Sequence, residues 1–218
     1  QKTMDMTCKE LCKSFPYVVV GYTQSDEITL ICKYPDRMNS QPYFDGRVEK
    51  ITSAAAARAT RFFNQFFIQN VKENVDHIDE VMYKKYENRF FKAEFDARVF
   101  NIPEWDCINN FIWRQQDCIR NSINSIAQSV FTPKELNGIH TDDLKEKLLT
   151  EKGISLEDFS SRDLNGATFY KTKREMITPA DKNGVSHIAL RTVWDCSCVQ
   201  ITKEYREWFS KSTGLRED

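Results

Sequence analysis

"YVVVGYTQSDEITLICKY", residues 17–34, decides the fold. Two apolar runs, 17–22 and 28–34, flank the polar Ser25-Asp26-Glu27. The runs are rich in Val, Ile, Thr and Tyr, which favour strands, and Ser and Asp favour turns. The stretch therefore reads as a β-hairpin. A hairpin excludes an all-parallel sheet. The flanking order is helix, two strands, helix, strand, helix. An antiparallel sheet with helices on one face is the natural layer solution for that order.

Working outward, residues 4–15 read as a helix, with Met4, Thr7, Cys8, Leu11, Cys12 and Phe15 along one side and Pro16 as its stop. A polar loop with two prolines covers 35–43. Residues 44–71 read as a helix, from four alanines at 54–57 and from Phe62, Phe63, Phe66 and Phe67 at helical spacing. A further helical piece is expected at 76–86. "EFDARVFNI", 94–102, reads as a strand that Pro103 ends. A long helix is expected over 104–131. At 100° per residue, Ile108, Ile112, Ile119, Ile123, Ile126 and Val130 fall on one side of it. Arg114, Asp117, Asn121, Asn124 and Gln128 fall opposite. Beyond 131 the pattern weakens to a helix at 142–151 capped by Thr141, short strands at 166–171 and 187–194, and a charged helical tail at 203–218. The expected division is 1–131 and a C-terminal extension of helices and small strands, 132–218.

A chain of 218 residues fits one large domain, or a core with a smaller attachment. With 31 basic and 32 acidic residues the net charge is −1, so any footprint for nucleic acid must be local. The seven cysteines repeat no spacing, and His77, His140 and His187 are scattered, which is not a zinc pattern. Reduced thiols of a cytoplasmic protein are expected. There is no signal-peptide pattern and no apolar run long enough to span a bilayer.

The acids at the turn raise the question of chemistry. Two-metal phosphoryl or nucleotidyl transfer needs carboxylates that hold two ions about 4 Å apart. If Asp26 and Glu27 both begin a strand they point to opposite faces, so a second acid must come from elsewhere. Asp45 and Asp96 are the candidates. Arg47 and Lys50, with a cap at Thr52 or Ser53, would make an anion site at a helix N-terminus. Arg114 and Asn121 could donate to phosphates from the long helix. Each feature also has a plainer account: a solvated turn, a helix end with snorkelling cations, and a solvated helix face. Lys134, Lys145, Lys147 and Arg162 are either an RNA surface or ordinary solvated charges.

Four segments, "YTQSDEITL", "EKITSAAAARATRFFNQ", "EFDARVFNIP" and "FIWRQQDCIRNSINSIAQSVF", occur in an order and spacing that resembles the tRNA-histidine guanylyltransferase family. They look most like its bacterial and phage branch of 3′-to-5′ polymerases. The resemblance runs from about residue 8 to 171. It implies a polymerase-palm-like, ferredoxin/RRM-like α+β domain, assembled as a homotetramer. It implies addition of nucleotides to tRNA 5′ ends, in histidine-tRNA maturation or in 5′-end repair, with ATP or GTP activating the 5′ phosphate, any NTP as donor, and Mg2+ as cofactor. By position, Asp26 corresponds to a metal-binding aspartate, Ser25 to a nucleotide contact, and Lys50 to a lysine on the triphosphate with Arg47 close by. Arg114 corresponds to the arginine of "WRQ", and Asn121 to an asparagine of the helix that follows.

Two departures qualify this. Ile119 stands where the eukaryotic enzymes carry a histidine, which favours the repair-type branch. The family's first metal aspartate lies upstream of "SDE" on a first strand, and too few residues precede Asp26 to hold it. "FDGR", 44–47, resembles that motif but falls downstream of "SDE". Residues 1–218 alone are therefore expected to be inactive. The alternative reading is a catalytically inactive palm-like module that binds RNA or nucleotide. A palm-type nucleotide cyclase is weaker, because the "WRQQD" helix has no role in it.

Overall fold

The computed structural model describes residues 1–34, 40–177, 179 and 186–215. α1 (Lys2–Ser14) leads into a hairpin of β1 (Val18–Gln24) and β2 (Glu27–Cys32). Gln24 pairs with Glu27, so Ser25 and Asp26 form a two-residue turn. Ser25 has a φ of 45°, in the left-handed region that tight hairpin turns use to match strand twist. The second strand begins at Glu27, so Asp26 belongs to the turn.

The chain continues through α2 (Val48–Glu73), α3 (Glu80–Glu87), α4 (Cys107–Val130), α5 (Pro133–Leu136), α6 (Thr141–Lys152) and α7 (Ser161–Asn165). It returns as β3 (Ala167–Ile177) and β4 (Ile188–Ser197) and closes with α8 (Lys203–Thr213). The sheet order is β2-β1-β3-β4, and every neighbouring pair is antiparallel.

Alternation along the strands, reset by a register irregularity between Val18 and Val20, feeds two cores. Cys8, Leu11 and Cys12 of α1, with Phe15 and with Ala59 and Phe62 of α2, pack against Val18, Ala167 and Phe169. On the other face, Val20, Tyr22 and Ile31 pack against Cys107, Ile108 and Phe111 of α4 and Phe209 of α8. The antiparallel α+β architecture is the one the hairpin implies, and the structure adds a second helical layer on the opposite face. A third cluster joins Ile123, Ala127 and Phe131 to Leu144 and Leu148 of α6. β3 and β4, which lie beyond residue 131, complete the sheet that the hairpin begins.

Two expected elements change. α2 starts at Val48, not at 44, because Phe44 (φ 51°), Asp45 (φ 55°) and Gly46 (φ 72°) are left-handed and cannot be helical. Segment 94–102 forms no strand. Its start is tied to α2 instead: Asn64 Nδ2 donates to Ala93 O (2.8 Å), and Phe95 N–H donates to Thr60 Oγ1 (3.0 Å). Phe95 packs on the α1–α2 core and Ile102 on the α4–α8 core, so the segment links the two layers. Among the described residues, 96–101 make no backbone hydrogen bond, and β2 is an edge strand paired with β1 alone. Part of the expected 35–43 loop, residues 35–39, and the last three residues of the tail lie outside the described residues. No helix among the described residues is long and apolar enough to cross a membrane.

Candidate active site

The open end of the hairpin gathers the chemistry-bearing groups. Ser25 and Asp26 stand exposed at the turn. Glu27, the next residue, is held from two sides. Its Oε2 accepts from Arg114 Nη1 at 2.9 Å and from Gln24 Nε2 at 3.3 Å. Gln24 is 2% exposed, and its Oε1 is buried with no partner among the described residues. Strand pairing puts Gln24 opposite Glu27, so the amide and the carboxylate share the face toward α4.

α4 delivers Arg114 to that face because its rotation is fixed by its neighbours. Phe111, Gln115 and Cys118 are buried. Gln115 uses both ends of its amide: Nε2 donates to Asn165 O (3.1 Å) and Val199 O (3.0 Å), while Oε1 accepts from Ile201 N–H (2.5 Å). Arg114 also stacks on its neighbour, with its guanidinium carbon 4.8 Å from the Trp113 ring centroid. Asn121 is exposed and donates to Asp117 Oδ2 at 3.2 Å, and Asp117 pairs with Arg120 as well. Seven residues at the helical rise place Asn121 roughly 10 Å beyond Arg114 along α4.

Arg47 and Lys50 lie elsewhere. Arg47 precedes α2, just after Tyr43, whose ring meets Phe15 at 5.6 Å, and Tyr17 donates to Gln41 O. Phe15 and Tyr17 flank the start of β1, whereas Ser25 and Asp26 follow its end. A seven-residue strand separates the two places by roughly 20 Å. Thr52 and Ser53 do not cap α2. They lie in its second turn, and their hydroxyls donate to Val48 O and Lys50 O. Within one chain the structure thus brings together Ser25, Asp26, Glu27 and Arg114, with Asn121 further along the same helix. It does not bring Arg47 or Lys50 to them.

Of the possible second acids, Asp45 sits beside Arg47 and accepts from Gln41 Nε2, and Asp96 pairs with Arg98 at 3.5 Å. Among the described residues no group of three or more His, Cys, Asp or Glu could hold a metal ion. The seven cysteines are free thiols, and burial raises Cys8 well above the usual thiol range. The basic residues considered for RNA are mostly paired: Lys145 with Asp142, Lys147 with Glu151, and Arg162 with Asp5 through three contacts of 2.7–3.2 Å. The Glu27–Arg114 pair had no signal in the sequence, because 87 positions separate its members.

Residues 1–103, which hold the hairpin and the segment ended by Pro103, match the family model for tRNAHis guanylyltransferase. Over the whole fold, a bacterial tRNA(His) guanylyltransferase-like protein in complex with ATP aligns with a TM-score of 0.74 and 29% identity, covering 99% of this chain and 79% of that one. Residues 1–103 thus resemble the tRNAHis guanylyltransferase family, and the fold as a whole is similar to a bacterial protein of that description. A bacterial structure of the same description, in complex with GTP, aligns with a TM-score of 0.67 and 25% identity, covering 96% of this chain and 76% of that one. The probable tRNA(His) guanylyltransferase of Dictyostelium discoideum is 25% identical over 179 residues, 77% of this chain and 63% of that protein. The chain spans less than two thirds of the length of the curated relatives it matches, 45% of one and 63% of the other.

Proposed function

We propose that this protein is a nucleotidyltransferase that extends tRNA at its 5′ end in the 3′-to-5′ direction. The observation that carries the proposal is the exposed Asp26 beside an anchored Glu27–Arg114 pair, on a fold shared with relatives that hold ATP and GTP. In the proposed reaction the tRNA 5′ phosphate attacks the α-phosphorus of ATP or GTP and releases pyrophosphate. The 3′ hydroxyl of an incoming nucleoside triphosphate then attacks the activated phosphate and releases the nucleoside monophosphate. Ser25, Arg114 and Asn121 contact nucleotide. Arg47 and Lys50 would engage a phosphate group some distance from Asp26, or the site of another copy in the proposed homotetramer. A tRNA substrate fits a cytoplasmic location.

Magnesium is the proposed cofactor, and Asp26 the residue that would hold it. One free carboxylate, with Glu27 engaged by Arg114, is an incomplete set for a two-ion centre. A further strand laid on the open edge of β2 would end beside the turn, where a second carboxylate is needed. That incompleteness favours the second reading, a palm-like module that binds nucleotide or RNA without chemistry.

The test is incubation of the intact protein with a 5′-truncated tRNA, labelled nucleoside triphosphates and magnesium, followed by mapping of the label. Label at the 5′ end supports the enzyme. No incorporation of any nucleotide by protein shown to be folded leaves the binding module.

A further inference from the structure

Trp113 sits mid-helix with 57% of its surface exposed, two residues from the fully buried Phe111. Its ring is nevertheless anchored. The Arg114 guanidinium covers one face at 4.8 Å and is itself ion-paired with Glu27 at 2.9 Å. Glu27 is in turn held by Gln24, which is 2% exposed and has a buried acceptor with no partner among the described residues. Three side chains thus tie the indole to the buried end of β1. Glu27 directly follows the exposed Ser25 and Asp26 of the turn.

We infer that Trp113 is a stacking platform for a nucleobase bound at the hairpin end. An indole with a cation behind it presents a π-face that every base can stack on, and adjacent Arg114 supplies charge complementary to a phosphate. The base belongs either to a free nucleoside triphosphate or to the terminal nucleotide of an RNA. The stacking chemistry is the same for both. Because the indole is surface-exposed, replacing it leaves the cores untouched. The inference rests on the nucleotide-site reading above.

The experiment measures binding of GTP, inorganic tripolyphosphate and a 5′-triphosphate RNA oligonucleotide to the intact protein, to Trp113→Leu and to Trp113→Phe, with thermal melting to confirm folding. Trp113→Leu should weaken GTP, RNA or both about tenfold. Trp113→Phe should restore binding to within a few-fold. Tripolyphosphate, which has no base, should bind all three proteins equally. Loss on GTP alone assigns the platform to the free nucleotide, and loss on RNA alone assigns it to the tRNA end. If wild type binds GTP and RNA and Trp113→Leu binds both as well as wild type, the stacking role is overturned and the nucleotide site stands. If wild type binds neither, the nucleotide site fails and this inference with it.

Discussion

Gly21 lies mid-strand in β1, where the strand passes beneath α1. A Cβ built there would lie 2.4 Å from Cys12 Sγ, 3.1 Å from Cys8 Sγ and 3.1 Å from Leu30 Cδ2. Ordinary contacts need about 3.5–4.0 Å, so roughly 1 Å of space is missing. Neither sulfur can swing to solvent, since Cys12 is 2% exposed and Cys8 0%. Gly21 is not left-handed, so alanine fits its backbone and gains about 0.4–1 kcal/mol from the stiffer unfolded chain. Overpacking a close-packed core costs about 1–3 kcal/mol. The net loss for Gly21→Ala is therefore about 1–2 kcal/mol, a fall in Tm of roughly 2–8 °C for a chain of this size. Cys12→Ala removes the obstructing sulfur. In a double-mutant cycle by urea unfolding, the double variant should be more stable than the sum of the singles by about 1 kcal/mol. A Gly21→Ala protein as stable as wild type, or strict additivity in the cycle, refutes the packing argument.

Arg162→Met should cost about 2–3 kcal/mol, below the 3–5 kcal/mol of a fully buried pair because Asp5 keeps 28% exposure. A loss under about 0.5 kcal/mol in urea unfolding would show that Arg162–Asp5 does not tie α7 to α1. Burial, with Cys118 beside it, raises the Tyr22 phenol well above its ordinary value. Stability from that neutral phenol is whole below about pH 10 and is lost at up to about 1.4 kcal/mol per pH unit above it, because the unfolded chain ionises first. Tyr22→Phe loses about 1 kcal/mol at neutral pH, as one hydrogen bond to Asn165 O goes, and should then show a shallower fall between pH 10 and 11. Equal slopes for the two proteins would contradict this. Burial likewise raises Cys8, so wild type should begin losing stability near pH 8.5, and Cys8→Ala should flatten that earlier loss.

What the sequence made legible was what local chemistry controls. The hairpin at 17–34 was readable because β-branched runs and a polar turn are short-range signals. α1 and α4 were readable from their apolar spacing. Segment 94–102 has the alternation of a strand, yet its start is tied to α2, Phe95 N–H to Thr60 and the preceding Ala93 to Asn64, contacts that no local pattern announces. α2 starts later than its composition suggests because the three left-handed residues before it cannot be told from helix by composition. At the candidate site, Ser25 and Asp26 were legible as turn residues. The fixing of Glu27 by Arg114 was not, since it depends on how α4 packs across the sheet. The separation of Arg47 and Lys50 from Asp26 was hidden for a related reason: closeness in sequence to a hairpin does not say which end of it a helix begins at.

The central claim is that Asp26 serves chemistry at the hairpin end. It is exposed at the turn, outside both cores, so Asp26→Ala should fold and melt like wild type. The deciding measurement is the single-turnover rate of magnesium-dependent nucleotide addition to a 5′-truncated tRNA, for the intact wild-type protein and Asp26→Ala side by side. The account predicts addition by wild type and none detectable by the variant. A folded Asp26→Ala protein that adds nucleotide at the wild-type rate would contradict it.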